Sequence, residues 1–369
     1  MKHLNRIFLL CFSLCTLFSV TANNSLQQNP LSEKFLKEFT SGKYRAKMMG
    51  EIYSMNDGNR YTMLSGDNKK IIAYSFKTGA PVDTVFDVET AKGCSLDRIA
   101  GYEFDAAETR ILIHTAVTPI YRRSFTTNYY VFQIARNELQ PLSTEHQPQQ
   151  MASFSPNGRM VAFAYNNNLY LKKLDYNTVS AITTDGEKNR DINGTPDWVY
   201  EEEFGANRYF EWSPDSRRIA WIRFDESAIK MFSFDKYAHP YDLQYTYKYP
   251  KAGETNSTVS VHVYDIPNRK TTQMECGEGN DIYFPILKWS NGNDSLIVVR
   301  MNRTQTNLEV LNVNPRSGVS SVLLSENDKV YVDYQNYKNI SFLSDNSFII
   351  LSEKDGYRHI YHYSANGNL

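Results

Sequence analysis

Little in this chain of 369 residues points to a charged partner: 40 basic side chains stand against 41 acidic ones. A nucleic-acid surface needs a basic excess, and an acidic tail needs a block of like charge. Neither is present, so no nucleic-acid partner is expected. Cysteine is also scarce. Cys11 and Cys15 lie in the apolar run at the N-terminus, which leaves Cys94 and Cys276, far apart, without CxxC spacing and without a neighbouring histidine. That argues against a disulfide framework and against a zinc-type cluster. Both read as buried free thiols, and no metal or other cofactor is expected.

Long hydrophobic runs are missing too, apart from the first residues. Lys2, His3 and Arg6 form a basic start, Ile7 to Leu14 is apolar but for Ser13, and Val20 and Ala22 are small residues suited to cleavage before Asn23. The run is shorter than the roughly 20 residues a spanning helix needs. It reads as a signal peptide over residues 1–22, with no membrane span after cleavage. The implied destination is the periplasm, the cell surface or the medium, by Gram-negative-type export. Residues 23–45 form an N-terminal segment in which Leu31, Phe35, Leu36 and Phe39 recur at nearly helical spacing, so a short helix is expected there.

What the chain has in quantity is aromatic side chains, 14% of residues with 26 Tyr, which suit pleated, half-buried surfaces. It also has a repeat. Units begin at Ser54, Phe104, Phe154, Trp212, Trp289 and Phe342, among them "FSPNGRMVAFAY" and "WSPDSRRIAWIRFD". Each has an aromatic or apolar residue, a polar turn with Asp, Asn or Gly, and an alternating apolar strand. Pro, Asn, Asp and Gly make such turns by presetting φ or tolerating positive φ. A recurrence every fifty or so residues means a propeller of four-stranded blades; a two-sheet sandwich would not repeat one unit six times. The widest interval carries an insertion, Lys236 to Val259. The fold class is therefore all-β, an incomplete β-propeller over residues 46–369. No closing strand follows the sixth unit, so the chain looks unfinished, because an open propeller exposes unpaired edges.

One stretch breaks the strand pattern. In "DWVYEEEFG", Asp197 to Gly205, three adjacent carboxylates, Glu201, Glu202 and Glu203, follow two large aromatics. Most charge runs are solvated patches. Here Trp198 and Tyr200 would anchor the segment, and Tyr200 to Phe204 could form a helical turn. Two carboxylates held together can accept several hydrogen bonds from one ammonium group, and a bound cation offsets the cost of holding them desolvated. The stretch thus suggests an amine-binding site.

"DWVYEEE" resembles the double-glutamate motif of the dipeptidyl peptidase IV family of serine exopeptidases, most closely its bacterial members. "YPKAGETNSTV" from Tyr249, "SEKDGYRHIY" from Ser352 and "PIYRRS" from Pro119 resemble other segments of that family in the same order. The resemblance covers essentially the whole mature chain. It implies an eight-bladed propeller, of which about six blades are present, over a C-terminal α/β-hydrolase domain that is absent from these residues. It implies that Glu202 and Glu203 clamp the free α-ammonium of a peptide whose second residue is proline or alanine. Glu201 falls one position early, as a structural or solvent-facing residue. Arg122 would bind the carbonyl of the second substrate residue and orient the glutamates, with Arg123 as the neighbouring alternative. Homodimers are common in the family, so a homodimer is a further possibility.

No G-x-S-x-G nucleophile elbow occurs in the sequence, and none of its histidines stands where a hydrolase triad needs one. No catalytic residue is assigned, and the chain by itself is expected to be inactive. The function expected is the substrate-recognition part of a secreted dipeptidyl peptidase that removes X-Pro or X-Ala dipeptides. The alternative is a secreted propeller that binds without catalysis, a truncated remnant.

Overall fold

The polar turns inside the repeats have one geometry and one task. In "SPNGR", Gly158 stands at φ 67° and its N–H donates to the carbonyl of Ser155 at 2.8 Å. In "SPDSR", Ser216 takes the same place at φ 61°, with its N–H on the carbonyl of Ser213. A residue that turns the chain back at positive φ starts the second strand of its sheet in each case.

In the computed structural model the described residues are 30–369 apart from Lys47, Met49, Ala238, His239 and Asp242. The expected signal peptide at 1–22 and residues 23–29 of the expected N-terminal segment lie outside them. The chain divides into two compact units, Met1–Glu51 and Ile52–Leu369. The described part of the first contains a helix, α1 (Pro30–Thr40), on the expected segment. Leu31, Phe35, Leu36 and Phe39 on it are all exposed. Phe35 stacks on Phe39 with ring centroids 6.0 Å apart.

The second unit is a run of six antiparallel sheets, the blades of the expected propeller. Blade I spans 53–87, blade II 101–141, blade III 150–181, blade IV 191–273, blade V 282–327 and blade VI 341–363. Blades I, III and V have four strands in sequence order, and three strands of blade VI are described. Blade II carries an extra parallel strand, Lys92–Gly93, beside Glu138–Pro141. The strands follow the alternation in the sequence: along Thr258–Asp265 the side chains at 259, 261 and 263 are buried and their neighbours are not.

The apolar core lies between the sheets. One cluster joins blades I and II around Ile71, Phe86, Ile111 and Phe132. Others join II to III and III to IV, and the largest joins IV, V and VI. Each buried Phe or Ile in them contributes about 1.5–3 kcal/mol.

Hydrogen bonds at the repeated turns stitch each blade to the next. Asn56 N–H donates to Glu108 Oε1, and Arg110 Nη1 to the carbonyl of Gly158. Asn157 N–H donates to Ser216 Oγ, Asp215 N–H to Asn293 Oδ1, and Asn291 Nδ2 to the carbonyl of Phe342. The repeat legible in the sequence is thus both the start of each strand pair and the joint between blades.

Three insertions depart from this plan and build the site. A two-stranded hairpin, Thr118–Pro119 with Phe125–Thr126, interrupts blade II between its second and third strands. A longer hairpin, Met231–Lys236 with Leu243–Lys248, does the same in blade IV, so the inserted segment read from Lys236 begins earlier, at Met231. The third insertion splits the first strand of blade IV. Asp191–Asn193 and Phe210–Trp212 both pair with Arg218–Asp225, and the helix α2 (Trp198–Phe204) is looped out between them.

Candidate functional site

Helix α2 is specified at both ends by its own residues. Asp197, extended at φ −73°, accepts the N–H of Tyr200 on Oδ1 at 2.9 Å, as an N-cap does. Its Oδ2 accepts the hydroxyl of Ser257 at 2.6 Å. Burial pushes the Asp197 carboxyl up, and these two bonds act against that. At the other end Gly205 has φ 66° and donates its N–H to the carbonyl of Glu201, a left-handed cap that glycine adopts without strain. Seven residues are too few to hold a helix alone, so packing holds it.

The packing is aromatic. Tyr200 meets Phe224, Phe204 and Tyr209 at centroid distances of 4.7, 5.0 and 5.4 Å. Its hydroxyl accepts the N–H of Phe284 at 2.9 Å. That N–H is free because the first strand of blade V slips register between Tyr283 and Ile286. Tyr334 donates its hydroxyl to the carbonyl of Glu203 at 3.2 Å. Trp198 packs on Tyr249 of the blade IV insertion at 4.3 Å. Blades IV and V, the blade IV insertion and the segment leading into blade VI all grip the helix.

Successive residues on a helix are turned by about 100°, so the three glutamates meet different surroundings. Glu201 is fully buried. Its Oε1 accepts the backbone N–H of Arg123 at 2.5 Å and of Ser124 at 2.9 Å, tying α2 to the blade II hairpin. Of the two readings open for it in the sequence, structural or solvent-facing, the structural one holds. Glu202 is one-fifth exposed, and its Oε1 accepts Nε of Arg122 at 2.9 Å. Glu203 is exposed, and its carboxylate has no partner among the described residues.

The two adjacent arginines are separated by the same geometry. Arg122 reaches Glu202 while its side chain remains 70% exposed. Arg123 turns its Nη1 to the carbonyl of Glu201 at 2.9 Å, satisfying a carbonyl near the end of the helix. Arg122 and Glu202 therefore meet, Glu203 follows as the next residue of the helix, and Arg123 belongs to the scaffold.

Several residues of this neighbourhood have no signal in the sequence. A cavity of about 610 Å³ is lined by Tyr121 and Ser124 of the blade II hairpin, Glu226, and Tyr245 and Tyr247 of the blade IV hairpin. Tyr245 donates its hydroxyl to the carbonyl of Ile120 at 3.3 Å, and Tyr121 meets Tyr247 at 5.8 Å. The hairpins that form this wall come from two blades, so no local pattern announces it.

Elsewhere the thiols are free. Cys276 is buried, but Cys94 is only half-buried, a correction to its expected full burial: the Cys94 thiol sits at the blade II edge and donates to the carbonyl of Leu139 at 3.1 Å. His359 pairs with Asp355 at 3.0 Å on the surface, and His362 contacts Ser347 Oγ. Among the described residues no three His, Cys, Asp or Glu gather as metal ligands, and no helix is long and apolar enough to cross a membrane.

Comparison with known proteins agrees with this architecture. Residues 105–369 match the family described as the dipeptidyl peptidase IV (DPP IV) N-terminal region. Dipeptidyl peptidase 4 of Trichophyton tonsurans is 30% identical over 283 residues, 72% of this chain and 36% of the relative. Prolyl endopeptidase FAP of Homo sapiens is 25% identical over 378 residues, 95% of this chain and 47% of the relative. The crystal structure of Porphyromonas gingivalis dipeptidyl peptidase 4 superposes with a TM-score of 0.85 at 38% identity, covering 90% of this chain and 48% of that one. The chain spans less than half the length of these relatives. With well over half of its residues inside the family match, it belongs to the dipeptidyl peptidase IV family, of which it carries the N-terminal β-propeller region.

Proposed function

We propose that this chain is the substrate-recognition propeller of an exported serine exopeptidase that removes X-Pro or X-Ala dipeptides from peptide N-termini. In this reading residues 1–22 direct export to the periplasm, cell surface or medium. An α/β-hydrolase domain C-terminal to the propeller supplies the nucleophile, and the working protein can be a homodimer.

The observation that carries the reading is the pair of carboxylates on α2. Glu202 is already oriented by Arg122, and Glu203, next to it, is exposed, with no partner for its carboxylate among the described residues. A peptide's α-ammonium has three donors and no acceptor, so it is matched by two adjacent carboxylates whose other contacts are few. Arg122 is exposed on one side and retains donors beyond the Nε used on Glu202, which suits it to the carbonyl of the second substrate residue. Fixing the N-terminus sets the distance to the nucleophile, so cleavage falls after the second residue, and the entropic part of the barrier is lowered before reaction.

The test is Glu203→Gln in the full-length protein, assayed on a Gly-Pro anilide. Removing one charge from such a pair is expected to lower kcat/KM by the equivalent of about 2–5 kcal/mol. Unchanged kcat/KM would overturn the clamp. Sequencing the N-terminus of the exported protein checks the leader, with Asn23 expected as the first residue.

A further inference from the structure

Among the described residues Glu226 is the acidic side chain lining the cavity between the blade II and blade IV hairpins, and nothing in the proposed function uses it. It is 7% exposed. Its backbone is fixed, with its N–H on the carbonyl of Arg190 at 2.7 Å and its carbonyl accepting the N–H of Ile229 at 3.0 Å. Its carboxylate, by contrast, has no hydrogen-bond or ion-pair partner among the described residues, although it lines the cavity of about 610 Å³. A buried carboxylate without a partner is costly unless it takes up a proton or a cation.

The charges around it do not meet that need. Asp197, Asp191 and Asp225 act on Glu226 with the same sign, and Lys248 is the opposing charge. The Lys248 ammonium is already held by the carbonyls of Ile229 at 2.6 Å and Ser227 at 3.3 Å. Lys188, the basic residue of the lining, is exposed and makes no ion pair with Glu226. Burial, with these carboxylates behind it, pushes the Glu226 carboxyl up to about 7.

The rest of the wall suits an organic cation. Tyr121, Tyr245 and Tyr247 line the same cavity, with Tyr247 5.8 Å from Tyr121 and 5.4 Å from Tyr245 between ring centroids. Burial first, and then the Glu226 charge, holds the Tyr121 hydroxyl well above its ordinary value, so ring and carboxylate face the same space. Aromatic faces attract cations, and a desolvated carboxylate accepts a charge-assisted hydrogen bond from one. A divalent metal is a poor match, since among the described residues no three His, Cys, Asp or Glu gather to hold one and Glu226 is the carboxylate of the described lining.

We propose that this cavity is a second binding site, distinct from Glu202 and Glu203, that takes a guanidinium or primary ammonium group with Glu226 as counter-ion and Tyr121, Tyr245 and Tyr247 as its aromatic wall. Tyr247 also feels the charge of Glu202, so the two acidic sites are neighbours.

The experiment is titration calorimetry on the full chain with N-acetyl-L-arginine amide, which has a guanidinium and no α-ammonium. N-acetyl-L-citrulline amide, nearly the same shape without the charge, is the control. The arginine compound is expected to bind at about pH 8 and at least about tenfold more weakly at about pH 5.5, where a proton competes for Glu226. At neutral pH, binding should release protons, seen as a dependence on buffer ionisation heat. Glu226→Gln should lose at least about tenfold in affinity and the pH dependence with it, and Tyr247→Leu should weaken binding with the pH dependence intact. Glu203→Gln should bind as the parent does, which separates this site from the clamp. No binding at pH 8, equal binding of the citrulline compound, or loss in Glu203→Gln but not in Glu226→Gln each overturns the proposal. Should Glu226→Gln not fold, the proton release and Tyr247→Leu decide it.

Discussion

Nε of Arg122 lies 2.9 Å from Oε1 of Glu202, across eighty residues of chain. The guanidinium comes from an insertion in blade II and the carboxylate from an insertion in blade IV, so the contact exists only once the blades between them have stacked.

Because Arg122 is largely exposed, its ion pair contributes little to stability, as exposed pairs do. Arg122→Ala is expected to change unfolding free energy by less than about 1 kcal/mol, measured by urea titration. Under the proposed function, the same variant of the full-length protein should raise KM for a Gly-Pro anilide. A loss of stability without a KM change would make Arg122 a structural residue.

Glu201 is the opposite case. It is buried and receives two backbone N–H groups. Glu201→Ala leaves both without a partner and should destabilise the propeller by about 2–4 kcal/mol. Glu201→Gln keeps the acceptor oxygen and should cost less than about 1 kcal/mol. Paired urea titrations measure the contrast; equal losses in the two variants would show that charge, not the acceptor, is what the site needs.

Glu226 makes stability depend on pH. Its folded-state carboxyl stands at about 7, against an ordinary 4.5. The folded protein therefore holds this proton more tightly than the unfolded chain. The stabilisation is fully present below about pH 4.5, declines as pH rises, and is lost once pH passes about 7. Between pH 5.5 and 8 the group should remove about 2 kcal/mol. Glu226→Gln should lack this component, so the difference between parent and variant across that range is the measurement, with no change in the difference as the contrary result. The neighbouring Asp197, Asp191, Asp225 and Lys248 remain in both proteins and cancel to first order.

The two thiols should differ in reactivity. Burial pushes Cys276 up to about 12, and it also raises the half-buried Cys94. Since the thiolate is the reactive form, Ellman's reagent at pH 8 should modify Cys94 slowly and leave Cys276 untouched until the protein is unfolded. Fast modification of both in the native state would contradict the buried position of Cys276.

The architecture was largely open to reading in the chain. Turn residues and alternating strands act over three to eight neighbours, so "SPNGR" and "SPDSR" announce strand pairs wherever they occur, and their recurrence announces blades. The helical turn read over Tyr200 to Phe204 is part of a longer helix, Trp198–Phe204, whose caps Asp197 and Gly205 are local but whose stability comes from packing. The triple glutamate, read as a break in the strand pattern, is one, a helix looped out of a split strand.

Direction was not legible. Which of three adjacent glutamates is buried, and which of two adjacent arginines meets Glu202, depend on partners 77 to 80 residues away. A single sequence carries no local mark of such pairs. Glu226 shows this most plainly, since "RFDES" reads as the end of an ordinary strand. The sequence by itself determined the repeat, the turns and the strand alternation, because short-range sterics and hydrogen bonding set them. Only the stacking of the blades decided which carboxylates lose water, which keep a partner, and which face a cavity, because desolvation is a property of the neighbours brought in by the fold.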